Sequence, residues 1–93
     1  MIVIDLKVKA KKFIQLLPPK HKRQIKDRIL ELQDDPMPHD SKKLLGYENY
    51  NRIDIGEYRI IYRYEGKKDL VTIVLIGNRN DDEIYRIAKR TLK

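Results

Sequence analysis

A chain of 93 residues with no break in composition is expected to form one compact domain, residues 1–93, around one hydrophobic core. Lysine and arginine outnumber aspartate and glutamate by 21 to 14, a formal charge of +7, so the surface is expected to attract polyanions such as nucleic acid or an acidic protein. The absence of cysteine excludes a disulfide scaffold, a zinc–thiolate centre and a thiol nucleophile. The apolar run at the start is too short for a signal segment or a membrane span, which points to the cytoplasm and to no membrane partner.

Ile2 to Leu6 carries β-branched residues around Asp5 and suits a short strand. Ala10, Phe13, Ile14 and Leu17 then recur at helical spacing, with Lys9, Lys11 and Lys12 off the stripe, up to the break at Pro18-Pro19. A second helix is predicted from about Pro19 to Gln33, its buried stripe made by Ile25, Ile29 and Leu32 and its other faces carrying Lys20, Lys22, Arg23, Lys26 and Arg28. The two helices should pair as an antiparallel hairpin with a cationic outer surface, which suits either a nucleic-acid backbone or plain solvation.

Asp34 to Ser41, with two prolines and three aspartates, reads as an ordered loop. From Tyr50 the period becomes two: Ile53 and Ile55 point one way, Tyr50, Arg52 and Asp54 the other, up to a hairpin turn at Gly56-Glu57. The next strand sets Tyr58, Ile60, Tyr62 and Tyr64 against Arg59, Ile61 and Arg63. Leu70 to Ile76, apolar except for Thr72, has the character of a central strand covered on both faces. Asp81-Asp82 offers N-cap carboxylates to a last helix carrying Ile84, Ile87, Ala88 and Leu92, with Lys89, Arg90 and Lys93 at its C-terminal end. The order βααβββα defines an α+β fold, a small, mostly antiparallel sheet packed by an N-terminal helical hairpin.

Arg52, Arg59, Arg63 and Arg79 lie on or just beyond strands that a meander sets side by side, so their guanidinium groups can gather on one face. A planar, permanently charged fork suits the oxygens of a phosphodiester and the added charge of its transition state. Tyr85 follows Arg79 by six residues, at the start of the last helix. A free phenol is a poor base at neutral pH, and adjacent cations favour its ionised form. Packing competes with that role, since Tyr85, Ala88 and Leu92 share a helical spacing. His21 and His39 suit surface roles, and no spacing of His and carboxylates suggests a metal or any other cofactor.

Leu44-Leu45-Gly46, Tyr50-Asn51-Arg52-Ile53, Gly56-Glu57-Tyr58-Arg59-Ile60-Ile61-Tyr62 and Ile76-Gly77-Asn78-Arg79 with Tyr85 following together resemble the RelE/ParE toxin superfamily. The Leu17-Pro18 break and the Asp35-Pro36 exit of the helical hairpin extend that resemblance over nearly the whole chain. It implies a microbial-RNase-like fold and a toxin of a type II toxin–antitoxin system. In RelE-like members the toxin is a ribosome-dependent endoribonuclease that cuts mRNA by metal-independent attack of a 2′-hydroxyl. Implied partners are the ribosome with its rRNA, mRNA and a RelB-like antitoxin, in a higher-order complex.

Residue by residue, the resemblance assigns phosphate binding to Arg59 and Arg79, general-base or positioning work to Tyr85, and a basic contact to Arg52; Arg63 is expected as a further substrate contact from the shared strand face alone. Asp54 departs from the pattern, standing where RNases of the superfamily carry a lysine. It would repel RNA unless it pairs with Arg52 or Arg59. ParE-like relatives share the fold, poison DNA gyrase and commonly lack the pairing of an arginine with a tyrosine near the C-terminus, so Arg79 with Tyr85 points toward the nuclease. A relative kept only for antitoxin binding is the remaining alternative.

Overall fold

The structure, a computed structural model, describes residues 1–80 and 82–92. Asp81 and Lys93, expected at the two ends of the last helix, lie outside the described residues. The chain runs β1 (Val3–Leu6), α1 (Val8–Gln15), α2 (Pro19–Asp34), β2 (Lys42–Leu44), β3 (Tyr47–Ile55), β4 (Tyr58–Glu65), β5 (Leu70–Asn78) and α3 (Glu83–Thr91). The five strands form one sheet in the order β1-β5-β4-β3-β2. Only β1 and β5 pair in parallel; every other pair is antiparallel.

The helical hairpin follows from its punctuation. Pro19 opens α2 with its φ already helical and no N–H to leave unpaired. Pro36 ends α2 by forcing Asp35 out of the helical region, to φ −143°. Ala10 and Ile14 of α1 and Ile25, Ile29 and Leu32 of α2 bury against Ile53, Tyr58, Ile60, Tyr62, Val71, Ile73 and Ile76 of the sheet. Tyr62, fully buried, donates its hydroxyl to Pro36 O at 2.8 Å and so ties the loop after α2 to the core. Burial pushes its phenol above the usual value.

The opposite sheet face has a core of its own, in which Leu44, Ile61 and Leu75 meet Ile84, Ala88 and Leu92 at and just beyond α3. A register shift between Ile61 and Tyr62 explains the unbroken apolar run of β5. Ile61 pairs with Leu75 but Tyr62 with Ile73, so Val74 is skipped and turns with Leu75 toward α3. The sheet is therefore covered by helices on both sides, not by the hairpin alone.

The order also gains a strand over the expected βααβββα. β2 is three residues long and carries no alternation; its pairing with β3 defines it, and that pairing carries β3 back to Tyr47, beyond the expected start at Tyr50. The expected turn at Gly56 is present: Ile55 pairs with Tyr58, and Gly56 takes φ +56°, the type II′ pattern that calls for glycine at the first loop position. Asp82 stands at the N-cap of α3 without a side-chain capping bond.

Candidate functional site

Asp54 and Arg59 face each other across the β3–β4 hairpin as a direct cross-strand pair. Their parity turns both away from the hairpin helices and toward α3. Arg59 donates from Nε to Asp54 Oδ1 at 2.8 Å and from Nη2 to Oδ2 at 3.3 Å, a two-pronged contact that fixes the guanidinium plane. Its Nη1 donates to the Tyr85 hydroxyl at 2.6 Å, and its Cζ lies 5.7 Å from the centre of the Tyr85 ring. Among the described residues, three of the five guanidinium N–H groups are thereby used, which leaves two for another acceptor.

Tyr85 reaches this position because α3 sits very close to β5. Gly77, opposite Arg59 on β5, has no side chain, and a Cβ there would lie 3.1 Å from Ile84 Cβ. Ile84 fills the core while Tyr85, the next residue, remains half-buried at its edge. Packing and site geometry, set against each other in the sequence, are served by the same helix turn.

The surrounding charge is positive. The Arg59 hydrogen bond, outweighing burial, holds the Asp54 carboxyl below the usual aspartate value, and the fields of Arg59, Arg52 and Arg79 act in the same direction. Asp54 and, less strongly, Tyr85 raise the Arg59 guanidinium. Arg52 is half-buried; Arg79 is exposed just past β5, its backbone N–H donating to Glu57 O at 2.7 Å. The structure thus gathers Arg52, Asp54, Arg59, Arg79 and Tyr85.

Arg63 is not with them. It lies four residues farther along β4, where its guanidinium covers Tyr50 at 5.7 Å and Glu65 Oε1 stands 3.1 Å from its Nε. The strand spacing already separates it from Arg59 by about 13 Å. Two other sequence expectations change. His21 is half-buried against Tyr58, hydrogen-bonded from Nδ1 to the phenol oxygen and edge-on to its ring at 5.4 Å. Arg28 folds onto Asp40 and Glu31 and so is withdrawn from the cationic helix face. The His21 contact had no local sequence signal, because it joins α2 to β4, whereas the i,i+3 spacing of Arg28 and Glu31 on α2 was open to reading.

Among the described residues, no group of three or more His, Asp or Glu side chains is placed to hold a metal ion, and no helix is long and apolar enough to cross a membrane.

A mixed five-stranded sheet with a helical hairpin on one face and a short C-terminal helix on the other matches the fold of RelE toxins. The E. coli toxin RelE, as an arginine-to-alanine mutant in the free state, superposes with a TM-score of 0.80 at 22% identity, covering 99% of this chain and 98% of that one. The archaeal RelE–RelB complex from Pyrococcus horikoshii OT3 gives 0.75 at 26% identity over 85% and 96% of the two chains. The RelB–RelE antitoxin–toxin complex from Methanococcus jannaschii gives 0.68 at 28% identity over 89% and 96%.

Residues 4–83 match the sequence model of the ParE toxin of type II toxin–antitoxin systems, parDE. The chain belongs to this family, within the RelE/ParE superfamily: it is a type II toxin with a RelE-like fold. No curated protein matches it.

Proposed function

We propose that this toxin is a ribosome-dependent endoribonuclease, acting in the cytoplasm on mRNA and held silent by a RelB-like antitoxin in a higher-order complex. The observation that carries the reading is Arg59, held in a fixed plane by Asp54, touching the Tyr85 hydroxyl and with two N–H groups unused among the described residues. Arg59, Arg52 and Arg79 hold the non-bridging oxygens of the scissile phosphate. Tyr85, whose oxygen accepts from Arg59, activates or positions the ribose 2′-hydroxyl.

A base at the site takes the 2′-hydroxyl proton as the 2′-oxygen attacks the adjacent phosphorus, and the P–O5′ bond breaks as the departing O5′ receives a proton from an acid at the site or on the ribosome. The products are a 2′,3′-cyclic phosphate and a 5′-hydroxyl end. Arginine stabilises the negative charge of the pentavalent transition state without exchanging protons, so acid–base work falls to Tyr85 and to whatever the ribosome contributes. Asp54 places one negative charge near the RNA and in return locks Arg59 in orientation, the kind of positioning on which such catalysis depends.

Mapping 5′ ends after adding the protein to message-loaded ribosomes tests the reading. Cleavage within the decoding site is expected, with slow cleavage of free RNA; intact message at stoichiometric toxin rejects it. The ParE family match favours a second reading, a gyrase poison in which Tyr85 only packs. Induced expression separates the two: translation arrest supports the nuclease, whereas DNA damage and filamentation with translation intact support the poison.

A further inference from the structure

The pairing of β3 with β4 runs from Ile55–Tyr58 to Asn51–Tyr62 and stops there. Both strands continue, β3 back to Tyr47 and β4 on to Glu65. Where they part, a cleft of about 690 Å³ opens, lined by Lys43, Glu48, Asn49, Arg63, Glu65 and Lys68 among others. Its lining carries three cations against two carboxylates, and it lies beyond the Arg59 site on the same strand.

One buried group in this cleft has unused hydrogen-bonding capacity. Arg63 Nε is buried and makes no hydrogen bond among the described residues. Glu65 Oε1 is close enough, at 3.1 Å, to attract the guanidinium but is out of line with the N–H. A buried donor left in this way is unfavourable by itself and is relieved by an acceptor arriving from outside. Asn51 also lines the cleft and is 7% exposed. Beneath Arg63, Tyr50 packs edge-on against Tyr47 with ring centres 6.5 Å apart, so the guanidinium rests on an aromatic support.

The geometry points to a nucleotide subsite. The cleft takes one nucleotide of the RNA strand flanking the scissile phosphate, with its phosphate on Arg63 and Lys68 and its base edge on the exposed amide of Asn49. A planar guanidinium with a free N–H fits phosphate oxygens. A carboxamide, with donor and acceptor side by side, fits the edge of an unpaired base, and stacked planes are how proteins commonly hold single-stranded RNA. An acidic extended peptide fits less well, since it needs apolar pockets for alternate side chains and Met37 is the one aliphatic side chain in this lining. Arg59 and Arg63 share a sheet face about 13 Å apart, within reach of one continuous strand. This inference rests on the RNA-cleaving reading above.

The test is an amide-shift titration of the full-length ¹⁵N-labelled protein with a short single-stranded RNA of mixed sequence. A single-stranded DNA and an acidic peptide are run in parallel. RNA is expected to shift Asn49, Asn51, Arg63 and Lys68 together. Arg63→Ala and Lys68→Glu should each weaken RNA binding roughly tenfold, with partial recovery in Arg63→Lys.

Lys68 is 70% exposed, so Lys68→Glu is informative even if Arg63→Ala fails to fold. RNA shifts confined to the Arg59–Arg79 region, unchanged affinity in Lys68→Glu, or a response of these amides to peptide or DNA but not RNA would each overturn the subsite. The nuclease reading fails separately: RNA bound in the cleft with message left intact on the ribosome keeps the subsite and removes the cleavage.

Discussion

Asp54 has two opposed effects, subtracting charge from a phosphate site and fixing the arginine that serves it. Its carboxyl is held below the usual aspartate value of 3.8, chiefly by the Arg59 hydrogen bond. A folded-state value below the unfolded one means that the stabilisation is complete above about pH 4 and is lost as pH falls through the lower, folded value. Urea unfolding followed from about pH 5 to about pH 2 should therefore show a shallower acid limb in Asp54→Asn. A residual limb should persist from Asp40, which Arg28 lowers in the same direction. At neutral pH the change should remove roughly 1 kcal/mol, kept small by solvent screening at a half-buried pair. Arg79→Ala, at an exposed position, should leave the unfolding free energy within about 0.5 kcal/mol and lower ribosome-dependent cleavage by roughly 10²–10³-fold. Tyr85→Phe keeps the ring against Arg59 and removes the hydroxyl, and single-turnover cleavage should fall about 10²–10⁴-fold. The meeting of Arg59 with Tyr85 was legible through resemblance alone, since nothing local in the sequence fixes how closely α3 approaches β5. The choice of Arg59 as the partner of Asp54 follows from hairpin register, once the turn is placed at Gly56-Glu57.

At the level of elements, periodicity and punctuation made the helical hairpin, β1, β4, β5 and α3 legible within a residue or two. What escaped was whatever depends on pairing between strands. The short β2 exists only through β3, and the skipped Val74, which lets two consecutive residues face α3, looks in the sequence like a loss of alternation. The contact of Gly77 with Ile84 is the joint on which the site depends. Gly77→Ala forces α3 outward against a 3.1 Å approach and should destabilise by about 1–3 kcal/mol. Because Tyr85 moves with α3, cleavage should fall by more than the folded fraction does. Gly56→Ala is the control: its strain at φ +56° should lower stability by about 1–2 kcal/mol, with the activity of the folded fraction largely kept. Denaturant melts alongside cleavage assays separate the two behaviours.

For the whole molecule, the excess of seven positive charges should make association with ribosomes steeply dependent on ionic strength. Equilibrium binding across a salt series should give a linear log–log plot with a negative slope, shallower by about one in a variant that loses one phosphate-contacting cation. The parallel pairing of β1 with β5 has a kinetic consequence. Val3 meets Leu70 and Leu6 meets Ile73, so the first and last strands in sequence close a loop that contains the hairpin helices and three other strands. Such distant partners slow folding, because chain entropy is lost before the contacts that offset it form. Stopped-flow refolding should therefore take milliseconds to seconds rather than microseconds. A newly made toxin would then spend that interval with the β1-side edge of β5 open, a period in which a binding protein already present could reach it before the sheet is complete.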